Sequence, residues 1–183
     1  MSKNGIVVSV TSGIDKSIAK IIKSQLQDLP LKSATLDGEY VDSSERNSQV
    51  SWISKTHWVA GLMSHYVNLV NDQYYHYDLR SWAQNIQYTV YNGQGTGYKW
   101  HNDYQEALEG DNLWRKLTIS LCLDDEYEGG ELQVFTPSCE MHTYKMNCGD
   151  IVIFSSDMMH RVRPLKSGLR TCLVGWYAGP KFK

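Results

Sequence analysis

The rhythm of hydrophobic and polar positions changes near residue 86. Before it the spacing is helical: Ile14, Ile18, Ile21, Ile22, Gln25, Leu26 and Leu29 recur at intervals of mostly three or four, and Pro30 closes the run. Apolar residues at that spacing share one side of a 3.6-residue turn, which predicts an amphipathic helix over residues 15–29. A second helix is predicted over 55–72, with Trp58, Leu62, Tyr66, Leu69 and Val70 on one face. Residues 5–10 alternate weakly, as a short strand does. Residues 37–50 are rich in Ser, Asp, Glu and Asn and read as an exposed loop.

After residue 86 the chain follows the grammar of strands. Ile86–Tyr91, Lys116–Leu123, Glu131–Phe135, Ile151–Phe154, Met159–Val162 and Arg170–Tyr177 are short segments rich in β-branched and aromatic residues. Between them lie the turn sequences N-G-Q-G-T-G, E-G-G, N-C-G-D and P-L-K-S-G. Many short strands with no βαβ alternation predict a mainly β sandwich or barrel, with both helices packed on a sheet. A chain of 183 residues suits one domain over 1–183, with helical support over 1–85 and a β core over 86–183. No internal repeat or low-complexity tract interrupts it.

Composition removes several function classes. The net charge is −2 and the 18 basic residues are scattered, apart from a loose group at Arg161, Arg163, Lys166 and Arg170. This argues against a nucleic-acid partner. No apolar run approaches a membrane span, and the start, M-S-K-N-G-I-V-V-S-V, is too short and polar for a secretory signal. The four cysteines form no C-x-x-C pair and read as the thiols of a cytoplasmic protein.

Against this background one constellation stands out. His101 and Asp103 form an H-x-D pair, His160 ends the run S-S-D-M-M-H, and Arg170 follows ten residues later. Two imidazoles and one carboxylate occupy one face of an octahedral iron(II) and leave three positions for substrate and oxygen. On a strand, residues i and i+2 share a face, so His101 and Asp103 are expected to point into the barrel together. His160 is expected to enter the same interior from a neighbouring strand. A hairpin through P-L-K-S-G is expected to set Arg170 beside the His160 strand, where a guanidinium holds an anionic cosubstrate through paired hydrogen bonds. Two other patterns carry less. G-Q-G-T-G lacks the G-K-[ST] ending of a phosphate loop and reads as a turn. Cys139, His142 and Cys148 lack a fourth zinc ligand.

Four stretches carry a family resemblance: R-N-S-Q-V-S-W-I (46–53), Y-N-G-Q-G-T-G-Y-K-W-H-N-D (91–103), G-G-E-L-Q-V-F (129–135), and G-D-I-V-I-F with H-R-V-R-P and G-L-R-T-C-L-V-G-W-Y (149–177). The chain resembles the iron(II)- and 2-oxoglutarate-dependent dioxygenases, and among them the prolyl 4-hydroxylases, with the oxygen-sensing prolyl hydroxylases most similar. The resemblance implies a double-stranded β-helix, or jelly roll, buttressed by N-terminal α-helices. It implies His101, Asp103 and His160 as iron ligands, and Arg170 with Tyr91 as the anchor of 2-oxoglutarate. Ascorbate is the accompanying reductant. Tyr98, Arg115 and Trp176 match positions that line the entrance and touch a target peptide. Arg46 sits in a stretch, 37–50, that matches a mobile lid. One position departs. Cys122 stands where the oxygen-sensing members place a tyrosine on 2-oxoglutarate, and Thr118 or Ser120 is the nearest hydroxyl to replace it.

The expected partners are O₂ and a protein or peptide substrate, with proline as the hydroxylated residue. Hydroxylation of a free amino acid or other small molecule is the alternative enzyme. A nucleic-acid dealkylase usually carries a second arginine where this chain has Trp176. A non-enzymatic cupin-like metal-binding module usually has H-x-H and needs no Arg170.

Overall fold

The computed structural model describes residues 6–35, 40–107 and 112–182. Among them the strands are β1 (Val8–Val10), β2 (Lys32–Ser33), β3 (Arg46–Asn47), β4 (Gln49–Ile53), β5 (Ser81–Trp82), β6 (Ile86–Asn92) and β7 (Gly97–His101). They continue with β8 (Leu113–Cys122), β9 (Tyr127–Gly129), β10 (Leu132–Phe135), β11 (Met141–Tyr144), β12 (Ile151–Ser155), β13 (His160–Val162) and β14 (Leu165–Pro180). Two helices precede the main strands, α1 (Lys16–Leu26) and α2 (Trp58–Val70), the second continued by a π-helical turn at Asn71–Tyr75.

The strands form two antiparallel sheets. The larger runs β1-β12-β8-β14-β6-β4-β2, with β5 and β9 also paired to β14. The smaller runs β11-β10-β13-β7-β3. This is the mainly β, jelly-roll architecture that the resemblance implies.

The alternation of side chains along the large sheet divides the interior in two. Ile86, Tyr88, Val90, Leu117, Ile119, Leu121, Ile151, Ile153 and Leu173 face the helices and form one core with Ala19, Ile22, Leu26, Val59, Ala60, Met63 and Val67. Successive residues of a strand point to opposite faces. Tyr91, Cys122, Val152, Phe154 and Cys172 therefore face the small sheet, where they pack with Leu132, Val134 and Val162. The space between the sheets holds the site described below.

The helices are where they were expected, and their faces match in part: Ile14, Ile22, Leu26 and Val70 are buried, and Leu29, Leu62 and Tyr66 pack against the core. Asp15 caps α1 by accepting from the Ser17 amide at 2.7 Å, and Ala19, Ile22 and Leu26 are its buried residues. Ile18 and Ile21 are exposed. On α2 the buried residues are Val59, Ala60, Met63, Val67 and Val70, whereas Trp58 and Leu69 lie at the surface. The face that packs on the sheet is thus centred on Ala60, Met63 and Val67, none of which was named in the expected face.

Two further expectations are corrected. Residues 37–50 are not one loop: Arg46–Asn47 pairs with β7, and Gln49–Ile53 pairs with β6. Ser48 and Val50 are buried within that polar-looking stretch, as are Ser51 and Ile53 just beyond it. The proposed lid thus shrinks to the segment before Arg46, of which 36–39 lie outside the described residues. Nor do His160 and Arg170 share a hairpin. β13 lies between β10 and β7, whereas β14 lies between β8 and β6, so the chain changes sheets at Arg163–Pro164. Residues of the supposed turn, Leu165–Gly168, already belong to β14 and pair with β9 through an irregular register.

Because Met63 is fully buried between α2 and the sheet, Met63→Ala is expected to destabilise the fold by about 2–5 kcal/mol. Leu69→Ala on the exposed side should stay within about 0.5 kcal/mol. Denaturant unfolding of the two variants checks the assignment of the face.

Candidate metal and cosubstrate site

His101 and His160 are brought together by strand register. They are direct partners across β7 and β13, and their ring centroids stand 4.1 Å apart. Asp103 lies two residues past the end of β7 rather than on it, and its amide donates to the Ser156 carbonyl at 2.8 Å. The carboxylate oxygens reach 3.9 Å from His101 Nε2 and 3.3 Å from His160 Nε2. One ligand atom from each of the three lies within 4.8 Å of the others, and among the described residues no other group of three His, Cys, Asp or Glu does so.

The backbone sets the tautomers. His101 Nδ1 lies 2.7 Å from the Lys99 carbonyl, and His160 Nδ1 lies 3.0 Å from the Met158 carbonyl. With Nδ1–H donated to a carbonyl, Nε2 keeps its lone pair for a metal. Burial, and after it the neighbouring His160, push the His101 imidazole down to about 3, so it is neutral at physiological pH. Burial works to raise the Asp103 carboxyl, but the charge and hydrogen bonding of His160 outweigh it and hold the group below the usual carboxylate range. Two imidazole nitrogens and a carboxylate, converging on one point, are a donor set that fits iron(II).

A bulge decides what surrounds this cluster. Opposite β13, the register moves from His160–His101 to Val162–Tyr98, two residues on one strand against three on the other. The extra residue turns Tyr98 to the same side as His101, and the rings stack with centroids 3.5 Å apart. Arg46 completes the stack, its guanidinium carbon 4.7 Å from the Tyr98 ring. Trp100, which also flanks the pair in sequence, faces outward instead, against Phe135 and Arg161.

The opposite wall comes from the large sheet. Arg170 is partner to Tyr91 across β14 and β6 and is only 1% exposed. Its guanidinium carbon lies 5.2 Å from the Tyr91 ring, and Nη1 donates to Cys172 Sγ at 3.4 Å. Its Nε has no partner, and among the described residues no carboxylate pairs with it. A buried guanidinium in that state suits an incoming carboxylate. The residue gains room from Gly130, whose φ is +65° and whose added Cβ would stand 3.1 Å from Arg170 Cδ. The E-G-G-E-L corner is thus built around the arginine.

All of the expected iron-site and entrance residues line one cavity: His101, Asp103, His160, Arg170, Tyr91, Tyr98, Arg115, Trp176 and Arg46. Arg115 lies 4.2 Å over the Trp176 ring and donates to Gln84 Oε1 at 2.6 Å. Thr118 is in the wall too, but its hydroxyl donates to Asp103 Oδ2 at 2.9 Å and contacts Ser156 at 3.0 Å. In this structure its hydroxyl serves the carboxylate. Cys122 is buried behind the wall, its thiol 3.7 Å from the Tyr127 hydroxyl, and burial pushes it up to about 11. Gln84 and Gln105 also line the cavity without any motif or period that marks them, and so does Trp52, which lies in the 46–53 stretch but was given no role there.

Comparison with known proteins agrees with this geometry. Residues 86–178, just over half of the chain, match the profile of the 2OG-Fe(II) oxygenase superfamily, and the chain belongs to it. A PKHD-type hydroxylase of Gloeothece citriformis is 35% identical over 85 residues, 45% of this chain and 37% of that protein. One of Crocosphaera subtropica is 42% identical over 82 residues, 43% of this chain and 36% of that one. The chain thus spans little more than a third of these relatives' length. A prolyl-4-hydroxylase of Pseudomonas putida superposes with a TM-score of 0.77 at 18% identity, covering 97% of this chain and 94% of its own. A prolyl hydroxylase of Trichoplax adhaerens, solved with a hypoxia inducible factor peptide fragment, gives 0.76 at 16% identity, covering 95% and 83%. At such identities the likeness is one of fold.

The Thr118 hydrogen bond orients the Asp103 carboxylate, so Thr118→Val is expected to weaken divalent-metal binding by roughly 10–100-fold. Anaerobic titration with iron(II) or manganese(II) measures this, and an unchanged affinity would remove the hydroxyl from the site.

Proposed function

We propose that this chain is an iron(II)- and 2-oxoglutarate-dependent dioxygenase that hydroxylates a peptidyl residue, proline first. The observation that carries the reading is the pairing, in one cavity, of a His-Asp-His cluster with a buried arginine that has no carboxylate among the described residues. His101, Asp103 and His160 hold the metal through Nε2, one carboxylate oxygen and Nε2. Arg170, steadied by Tyr91, receives the distal carboxylate of 2-oxoglutarate. Bound together with O₂, iron(II) and 2-oxoglutarate supply the oxidation of an unactivated C–H bond, with succinate and CO₂ as co-products.

The chain's own residues position the reactants. The His101 imidazole, kept neutral by burial, presents its lone pair without first losing a proton. Phe154 stands edge-on to His160, with centroids 4.7 Å apart, and backs that imidazole with an apolar ring. Tyr98, clamped between Arg46 and His101, forms one lip of the mouth. Trp176, with Arg115 above its ring and Trp52 at 6.3 Å, forms the other. The Trp176 Nε1–H is buried without a partner, a donor suited to a backbone carbonyl of the substrate. An aromatic floor beside a hydrogen-bond donor suits a proline ring carried in a peptide. The peptide-bound Trichoplax structure has the same fold.

Three outcomes test this reading. Incubation with proline-containing peptides, iron(II), 2-oxoglutarate and O₂ should yield a mass gain of one oxygen together with succinate. Hydroxylation of free amino acids alone would move the substrate to the small-molecule class. Arg170→Ala should raise the 2-oxoglutarate KM by orders of magnitude, as removing a buried charge partner costs ~2–5 kcal/mol, while metal binding persists. Trp176→Phe keeps a ring but not the donor. It should slow peptide hydroxylation by about tenfold, the worth of one hydrogen bond to a buried donor, and spare uncoupled decarboxylation. Equal loss of both would make Trp176 a core residue only.

A further inference from the structure

Arg170 has a second aromatic neighbour that no motif announced. Tyr127 opens β9, is partner to Gly168 on β14, and is 6% exposed. The Arg170 guanidinium carbon lies 6.0 Å from its ring and 5.2 Å from that of Tyr91, so the cation is flanked by two tyrosines from different strands. The Tyr127 hydroxyl is itself fixed, since it donates to the Met146 carbonyl and lies 3.7 Å from the Cys122 thiol.

Three features of the chain make room for this arrangement. Cys122 presents a small side chain where a bulkier one would reach the Tyr127 phenol. Gly130 supplies the second clearance: a Cβ there would come 3.5 Å from Tyr127 Cε2, 3.1 Å from Arg170 Cδ and 2.5 Å from Leu165 Cδ1. Gly168 supplies the third, its φ of +84° bringing β14 so close to Tyr127 that a Cβ would meet the Tyr127 backbone at 2.9 Å. A turn that places one phenol against one guanidinium, and removes side chains at two glycines to do so, fixes where that guanidinium can go.

We propose that Tyr127 is a positioning residue for the cosubstrate anchor: held by Met146 and admitted by Cys122 and Gly130, it sets the plane in which Arg170 presents its donors to the 2-oxoglutarate carboxylate. The inference rests on the function proposed above. Tyr127 touches neither the metal cluster nor the cavity, so its influence runs through Arg170 alone. The ring confines the guanidinium by cation–π contact, and the hydroxyl confines the ring.

The test is direct binding, not turnover. 2-Oxoglutarate is titrated calorimetrically into manganese(II)-loaded protein for the wild type, Tyr127→Leu, Tyr127→Phe and Arg170→Ala, and the manganese affinity of each is measured separately. Tyr127→Leu is expected to weaken 2-oxoglutarate by about tenfold with manganese affinity unchanged, the scale of one desolvated cation–π contact. Tyr127→Phe keeps the ring but frees it from Met146, and an intermediate loss of about threefold is expected. Wild-type affinity in Tyr127→Leu overturns the inference. If that variant does not fold, Tyr127→Phe decides alone, and an unchanged affinity overturns it. Equal loss of manganese and 2-oxoglutarate also overturns it, since the residue would then be a general prop. If Arg170→Ala binds 2-oxoglutarate as the wild type does, the proposed function itself fails, and the Tyr127 inference falls with it.

Discussion

Arg170 carries a full positive charge where solvent hardly reaches. A buried ion costs several kcal/mol unless its charge and its donors are met. The surroundings of Arg170 meet that demand only in part, with the faces of two tyrosines, one thiol acceptor at 3.4 Å and an Nε without a partner. Much of the local architecture follows from accommodating this one side chain. Gly130 gives up its side chain to it. β9 folds back on β14 to supply Tyr127. Tyr91 pairs with it across the sheet. The cavity side is the open direction, and it is from there that the proposed carboxylate would approach.

The two halves of the site belong to two different sheets. His101 and His160 are neighbours in the small sheet. Arg170, Tyr91, Arg115 and Trp176 stand on the large one, and Asp103 lies on the link between them, tied to the large sheet through Thr118 and Ser156. The distance from cluster to arginine is thus set by how closely the sheets pack. Between them that packing rests on Leu132, Val134, Phe154 and Val162, all buried. A core substitution at these positions alters the site without touching a ligand.

The β core was legible because its segments are rich in β-branched and aromatic residues and are parted by turn sequences. Along β8, Leu117, Ile119 and Leu121 face the helices while Thr118, Ser120 and Cys122 face the other way. The His-Asp-His trio was legible because its residue types are scarce and chemically particular. The helix faces were legible only in part, since Ile18, Ile21, Trp58 and Leu69 are apolar yet exposed, whereas Ala60 adds little to an apolar count yet is fully buried. The strands at Arg46–Asn47 and Gln49–Ile53 were hidden by serines, which are buried there as part of a ladder despite a polar composition. The hairpin error had a different origin. P-L-K-S-G has turn composition, but whether a chain turns back within its sheet or crosses to the next depends on long-range pairing, and β14 finds its partners in β8 and β6.

The same limit explains why Thr118 and Tyr127 escaped notice in their actual settings. Thr118 and Asp103 are 15 residues apart, and Tyr127 and Arg170 are partnered only because Gly168 lets β14 lie against β9. Neither contact leaves a period or a motif. Both act one step behind the residues that the sequence does advertise, Thr118 by orienting a carboxylate and Tyr127 by flanking a guanidinium. A ligand set that is recognisable from residue types still needs its geometry to be fixed, and in this fold that task falls to side chains whose identity is dictated by the space around the ligands. Cys122, which the family resemblance sets against a tyrosine, has its thiol 3.7 Å from the hydroxyl of Tyr127, a phenol that approaches the arginine from another strand.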